Sequence, residues 1–153
     1  MTARGRMTGT RFAGTCAVAF VVSQILAIAV HGFVLAGDYA PFYGTLLRRM
    51  QGGGAWQGLL LPVAHFSYVI ALVWVYDQIM EDGPRARQGL RIGIVGFAIG
   101  QVPLWLLWYA EQPWPGGLVI KQLVLELVAS LILGLAIAGT AKPPGASSRA
   151  LSS

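Results

Sequence analysis

The sequence predicts an all-α integral membrane protein, a four-helix bundle with both termini in the cytoplasm. Three observations predict it. Apolar residues make up 56% of the chain and charged residues 11%, against about 25% charged in soluble domains. Four apolar runs are long enough to cross a bilayer. Lysine and arginine are spread unevenly over the segments between those runs. At 153 residues the chain suits one domain. Its mean hydropathy is +0.64.

Residues 1–11 form a polar tail with Arg4, Arg6, Arg11 and no acid. The first span covers about residues 12–36. A basic start followed by an apolar run and Ala27-Ile28-Ala29 is the pattern of a cleaved signal peptide. The apolar run continues through Phe33, Val34 and Leu35, so an uncleaved helix is expected. Residues 37–56 form the longest connection. Tyr43–Met50 within it suggests a short interfacial helix, and Gly52-Gly53-Gly54 a hinge.

The second span covers about residues 57–76. A charged loop with a Gly83-Pro84 turn follows. The third span covers about 92–110, and Glu111–Gly117, with two prolines, makes a tight turn. The fourth span is 118–139. Residues 141–153 are Pro/Ser-rich and polar, as disordered tails are. Pro62 and Pro103 lie inside spans and each leaves a carbonyl free, so kinks are expected there.

Orientation follows from charge. Arg4, Arg6, Arg11, Arg85, Arg87, Arg91, Lys142 and Arg149 fall on one side; Arg48, Arg49 and Lys121 fall on the other. Basic residues favour the cytoplasmic side, which places the termini and the central loop there. Trp56, Trp105, Trp108, Tyr109 and Trp114 gather towards the opposite interface, as an aromatic belt does. The same distribution accounts for the formal charge of +5, so nucleic acid is not an expected partner. The bilayer is. The single cysteine, Cys16, cannot form an internal disulfide and is read as a packing residue.

Gly89, Gly93, Gly96 and Gly100 recur at spacings of four, three and four. They make one small-residue stripe on which a neighbouring helix can approach closely. Packing within the bundle is the expected use.

Glu126 interrupts the fourth span, one turn beyond Lys121 and Gln122. Ionisable groups in hydrocarbon are costly, so they face a protein interior or a functional site. At 1.5 Å per residue, His65, Gln101 and Glu126 all lie roughly 12–14 Å from the outer boundary, and His31 about 6 Å shallower. Helical faces align them: Gln24, Ala27 and His31; His65, Tyr68 and Leu72; Gln122, Glu126 and Ser130. The expected site is an outward-opening pocket. His31, Lys121 and Gln122 lie near its mouth, His65, Gln101 and Glu126 at its base, and Tyr39, Tyr43 and Glu111 at its rim.

Two readings stand. In one, His65 and Glu126 satisfy each other as a structural pair. In the other the cluster binds a ligand or handles a proton. Haem is disfavoured, because ligation by two histidines across a bundle needs them at one depth. A metal site lacks any dense ligand spacing. There is no nucleophile elbow and no phosphate-binding loop. No cofactor follows from the sequence. The leading expectation is a small membrane protein that binds a lipophilic molecule or serves as a subunit of a larger membrane complex. The alternatives are an enzyme using His65 and Glu126 as an acid–base pair on a lipophilic substrate, and a proton-coupled transporter.

The strings HGFVLAGDYAPFYGTLLRRM, GLRIGIVGFAIG and YAEQPWPGGLVIKQLVLELVASLILGLAIA, with His65 between the first two, resemble an uncharacterised family of small bacterial four-span membrane proteins. His31-Gly32, Tyr39, Arg48, His65, Gly89-Leu90-Arg91, Tyr109, Pro113, Gln122 and Glu126 carry the resemblance. It implies a four-helix inner-membrane fold and no particular activity.

Overall fold

A computed structural model describes residues 7–45, 55–81 and 83–141. The expectations for residues 1–6, 46–54 and 142–153, including the Gly52-Gly53-Gly54 hinge and both tail ends, lie outside the described residues. So does the side chain of Trp56.

Four long helices dominate: α1 (Gly9–Val34), α2 (Ala55–Ile79), α3 (Arg85–Glu111) and α4 (Gly116–Thr140). No strand occurs among the described residues. All four are long and apolar enough to cross a membrane, α2 from Leu59 onwards. The third helix starts at Arg85, seven residues before the apolar run that announces it. Pro84 precedes it with extended backbone (φ −60°, ψ 127°), and the Arg-rich first turn is exposed. The interfacial helix expected from Tyr43 does not begin there. Helical turns instead occupy Ala36–Tyr39 and Ala40–Phe42, Tyr43 is extended, and Gly44 has a φ of +90°.

The helices run alternately up and down, so Met7 and Ala141 lie at one end, here the terminal end. The Met7 N–H donates to Asp77 Oδ1 at 2.8 Å, and Ala141 packs in one cluster with Cys16. That cluster also holds Ala19, Val69, Leu72, Val73, Tyr76, Ile92, Leu133 and Ile137. Cys16 is free and buried among them.

Small residues let helix backbones approach closely, and such close packing helps hold apolar helices together. Glycine supplies it here. A Cβ built on Gly93 would lie 2.6 Å from the Ser130 carbonyl oxygen and 2.8 Å from the Leu131 Cα. On Gly89 it would lie 2.8 Å from the Leu135 Cα. Gly134 of α4 faces both, which makes it the counterpart that a stripe on α3 alone does not reveal. The upper half of the stripe has another partner: Gly96 and Gly100 accept the ring of Tyr68 from α2.

Two helices widen into π turns, at Ile28–Val34 in α1 and Phe97–Gln101 in α3. The second immediately precedes Pro103. Proline cannot donate to the carbonyl four residues back and its ring crowds it, so a wider turn relieves the conflict. Pro62 lies inside the continuous helix of α2. The first π segment ends where the Leu35 N–H donates to the Val30 carbonyl at 2.9 Å. His31 sits within it.

Candidate functional site

The polar residues at the loop end form one hydrogen-bonded chain across three elements. His31 on α1 bonds through Nε2 to Glu126 Oε1 on α4 at 2.8 Å. Its Nδ1 meets the Tyr39 hydroxyl at 2.8 Å. Gln122 Nε2, one turn from Glu126, donates to the same hydroxyl at 2.7 Å. Gln122 is fully buried and Tyr39 7% exposed, while the side chains of His31 and Glu126 are 35% and 13% exposed.

The donors and acceptors fit one arrangement. An ionised carboxylate only accepts, so His31 Nε2–H donates to Glu126. Neutral His31 then presents a lone pair on Nδ1, which accepts from the Tyr39 hydroxyl. The Tyr39 oxygen accepts from Gln122. Every link points towards Glu126. A proton added to His31 reverses part of the chain: Nδ1–H then donates to the Tyr39 oxygen, and the hydroxyl must find another acceptor. Gln122 Oε1 is buried without a partner, and rotating that amide would offer it.

Tyr39 lies outside the spans. Burial is the main cause that pushes its hydroxyl up to about 12; the nearby charge of Glu126 adds to this and the bond from Gln122 opposes it. The hydroxyl is therefore neutral at every physiological pH.

Several expected placements change. The pair expected between His65 and Glu126 is not made; His31 takes that role. The depth argument counted Cα positions, but side chains tilt towards the N-terminus of their helix. α1 and α4 are antiparallel, so His31 leans away from the loop end and Glu126 leans towards it. The two tilts close the ~6 Å offset implied by the helical rise. Tyr39, expected at the rim, lies at the centre, because the turns after Val34 fold it back over the helices. Gln122, expected at the mouth, is buried. Gln101 is half-buried and makes no hydrogen bond to His31, His65 or Glu126. Tyr43 and Glu111 are exposed. Lys121 pairs with Asp38 at 2.5 Å on the exposed edge of the site.

His65 is half-buried on α2, near enough to Glu126 and His31 for their charges to act on it. No hydrogen bond joins it to either. Deeper in, the Tyr68 hydroxyl is buried and faces Ser130 without closing a sound hydrogen bond, and Gln24 Oε1 is buried without a partner. Towards the loop end the chain is roofed by Val30, Leu35, Trp105, Trp114, Leu118 and Val119. Two tryptophans of the expected belt, Trp105 and Trp114, are therefore core residues, whereas Tyr109 is half exposed. His31, His65 and Glu126 do not gather as a metal site, and no group of three such ligands does so among the described residues. A scan of family models and comparisons with curated proteins and with solved structures gave no match to this chain.

Proposed function

We propose that this chain is an integral protein of a bacterial cytoplasmic membrane, with both termini in the cytoplasm, whose function turns on reversible protonation of the Glu126–His31–Tyr39–Gln122 chain. The excess of basic residues on the terminal side supports the orientation, and the resemblance to bacterial four-span proteins supports the location. One observation carries the functional reading. A mostly buried carboxylate, a partly exposed imidazole and a buried phenol are linked in series, with an unpaired amide oxygen at the far end that allows a second arrangement. A static structural pair does not need a third and fourth member with a spare acceptor.

Protonation in this reading changes how the helical turn Ala36–Tyr39 is held on α1 and α4. A lipophilic molecule at the site, or a second subunit in a larger membrane complex, would sense that change. If an acid–base step occurs, His31 is the partner of Glu126 in place of His65.

Infrared difference spectroscopy of the full chain in lipid nanodiscs tests the reading. Between about pH 4 and 9, a range bracketing ordinary carboxylate and histidine titrations, a protonated-carboxyl band should appear and vanish. Glu126→Gln should abolish it. A spectrum unaffected by Glu126→Gln would end the proposal. Thiol labelling tests orientation in a Cys16→Ser background. Gly53→Cys should react from the periplasm and Arg87→Cys should not; the reverse pattern inverts the topology.

A further inference from the structure

Two sealed polar atoms of the loop half have no hydrogen-bond partner among the described residues, and they are complementary. The Trp105 indole Nε1 only donates and the Gln122 Oε1 only accepts. Trp105 is 5% exposed and Gln122 is fully buried. An unmatched polar atom in an interior is costly, and more so where little water screens it.

The packing of α3 on α4 brings them to one place. A Cβ on Gly89 would lie 2.8 Å from the Leu135 Cα, and one on Gly93 would lie 2.8 Å from the Leu131 Cα. Each step forward on α3 is thus a step back on α4, and the same register sets Trp105 beside Val119. Those two residues do share one buried cluster, with Leu118 and Tyr39. The π turn at Phe97–Gln101 shifts the count by about one residue, or ~1.5 Å. Gln122 follows Val119 by three residues on the same face of α4, ~4.5 Å along the axis. Side chains lean towards the N-terminus of their own helix, so Trp105 leans away from the loop end and Gln122 leans towards it. The opposite leans close that offset. Tyr39 touches both neighbourhoods: its hydroxyl takes the bond from Gln122 Nε2 at 2.7 Å, and it packs in the cluster that holds Trp105. The Trp108 ring stands edge-on to Trp105 at 5.2 Å. The other sealed, unpaired oxygens are too deep. Gln24 lies seven residues before His31, and the Tyr68 hydroxyl lies against Gly96, nine residues before Trp105, each ~10 Å or more along an axis.

We propose that Trp105 is a positioning residue of the protonation chain: its indole N–H is the donor that the Gln122 amide oxygen faces, and it holds the chain in the arrangement in which His31 is neutral. In that arrangement Gln122 gives its N–H to Tyr39 and turns Oε1 to the other side, towards Trp105. Direct closure and closure through one water give the amide oxygen the same kind of partner, a hydrogen-bond donor. When His31 gains a proton, the amide turns over to accept from the Tyr39 hydroxyl. Its NH2 then faces the indole N–H, donor against donor, in a sealed interior. Trp105 therefore opposes the added proton, and loss of its N–H makes the second arrangement easier to reach. The charged and titratable groups around His31 are Glu126 and Lys121 on α4, Tyr39 and Asp38 on the following turn, and His65 on α2. α3 carries none between Arg91 and Tyr109, so its influence on the chain comes through the indole. The inference rests on the protonation reading, and the test separates the two.

Nitrogen-15 NMR of the full chain in nanodiscs, with histidine and tryptophan labelled, tests it. His65→Gln assigns the His31 ring signals by difference, and Trp105→Phe assigns the Trp105 indole. As pH falls, the Trp105 indole signal should lose its hydrogen-bonded shift with the same midpoint as the His31 ring, while the other indoles stay in place. Trp105→Phe should move the His31 midpoint up by roughly 0.5–1 pH unit, the size expected of one opposed donor. Benzothienylalanine at position 105 keeps the ring volume and replaces the N–H by sulfur, and it should do the same. A midpoint unmoved by benzothienylalanine overturns the inference, and so does one moved by Trp105→Phe alone, which assigns the effect to packing. An indole signal indifferent to pH while His31 titrates also overturns it. If neither His31 nor Glu126 titrates, the protonation reading falls. The pairing is then judged by Gln122→Leu, which should shift the Trp105 signal and overturns the pairing if it does not.

Discussion

The terminal half of the molecule is joined backbone to backbone, and the loop half is joined side chain to side chain. At the terminal end Gly89 and Gly93 bring α3 against Gly134, Ser130 and Leu131 of α4 at distances that admit no Cβ. Around that contact lies a continuous apolar cluster. At the loop end, hydrogen bonds link His31, Tyr39, Gln122 and Glu126, the helices widen into π turns, and α2 has no buried residue from Leu59 to Tyr68. Contacts of fixed backbone have one arrangement. A hydrogen-bonded chain with a spare acceptor has two. The difference teaches that a protonation event can be read out at one end of the helices while the other end keeps them in register.

The sharpest way to break this comparison is to add volume at the rigid end. Gly93→Leu forces its side chain into the backbone of Ser130 and Leu131 and should cost ~3 kcal/mol or more, at the upper end for overpacking. Gly117→Ala is the control, since nothing lies within 4 Å of its added Cβ, and it should be neutral. Thermal unfolding in mild detergent, followed by size-exclusion chromatography, reads both. A Gly93→Leu protein as stable as Gly117→Ala would mean that the two halves do not differ in this way.

The next largest effect appears at high pH. The Tyr39 hydroxyl titrates at about 12 in the folded chain and near 10 in an unfolded one. Between these values the folded state holds the proton more tightly. The corresponding stability is complete below about pH 10 and is lost as pH rises towards 12, to an extent of ~2–3 kcal/mol. Tyr39→Phe should flatten stability over that window. A Tyr39→Phe protein that loses stability there as steeply as the parent would assign the loss to another group.

His31 and His65 then separate two imidazoles that the sequence alone treats alike. His31→Leu strands Glu126 Oε1 and the Tyr39 hydroxyl, at ~1–3 kcal/mol for partners left unsatisfied in a partly buried site. His65→Leu removes no hydrogen bond and should leave the melting temperature nearly unchanged. If His65→Leu were the costlier of the two, Glu126 would have its partner on α2.

How far each half was legible in the sequence follows from the same physics. The glycine stripe on α3 is written at helical spacing, and a stripe survives any rigid rotation of its helix. On α4, Ser130, Gly134 and Ala138 recur at four-residue spacing, but that small-residue row becomes meaningful only opposite Gly93. Residue types and rough depth sufficed to group His31, Gln122 and Glu126, whereas His65 and Gln101, grouped with them on the same grounds, make no hydrogen bond to that chain. The pairing did not follow, because it depends on opposite side-chain tilts in antiparallel helices and on a π turn that shifts the phase of α1. Neither leaves a mark in a pattern counted at 3.6 residues per turn. Tyr39 was hidden for a simpler reason: it follows the span, and only the fold of the connection carries it back inside. Nothing in the sequence joins Asp38 to Lys121, 83 positions away.

The smallest expected effect tests what holds that connection down. Asp38 and Lys121 form an ion pair at the edge of the site, with side chains 39% and 47% exposed. Pairs of this kind contribute ~0–1 kcal/mol and less in salt, so Lys121→Gln should change stability by no more than that, and raising ionic strength should erase the difference. Tyr39 sits next to Asp38 and is anchored from the other side by His31 and Gln122. The two anchors therefore compete to explain why the turn Ala36–Tyr39 lies where it does. Loss of the exposed pair should leave the infrared band of Glu126 in place, because the inner hydrogen bonds survive it. A Lys121→Gln protein that loses as much stability as His31→Leu would show the turn clamped from outside. The hydrogen-bonded chain would then be a consequence of that clamp, and the loop half would have no second arrangement to offer a proton.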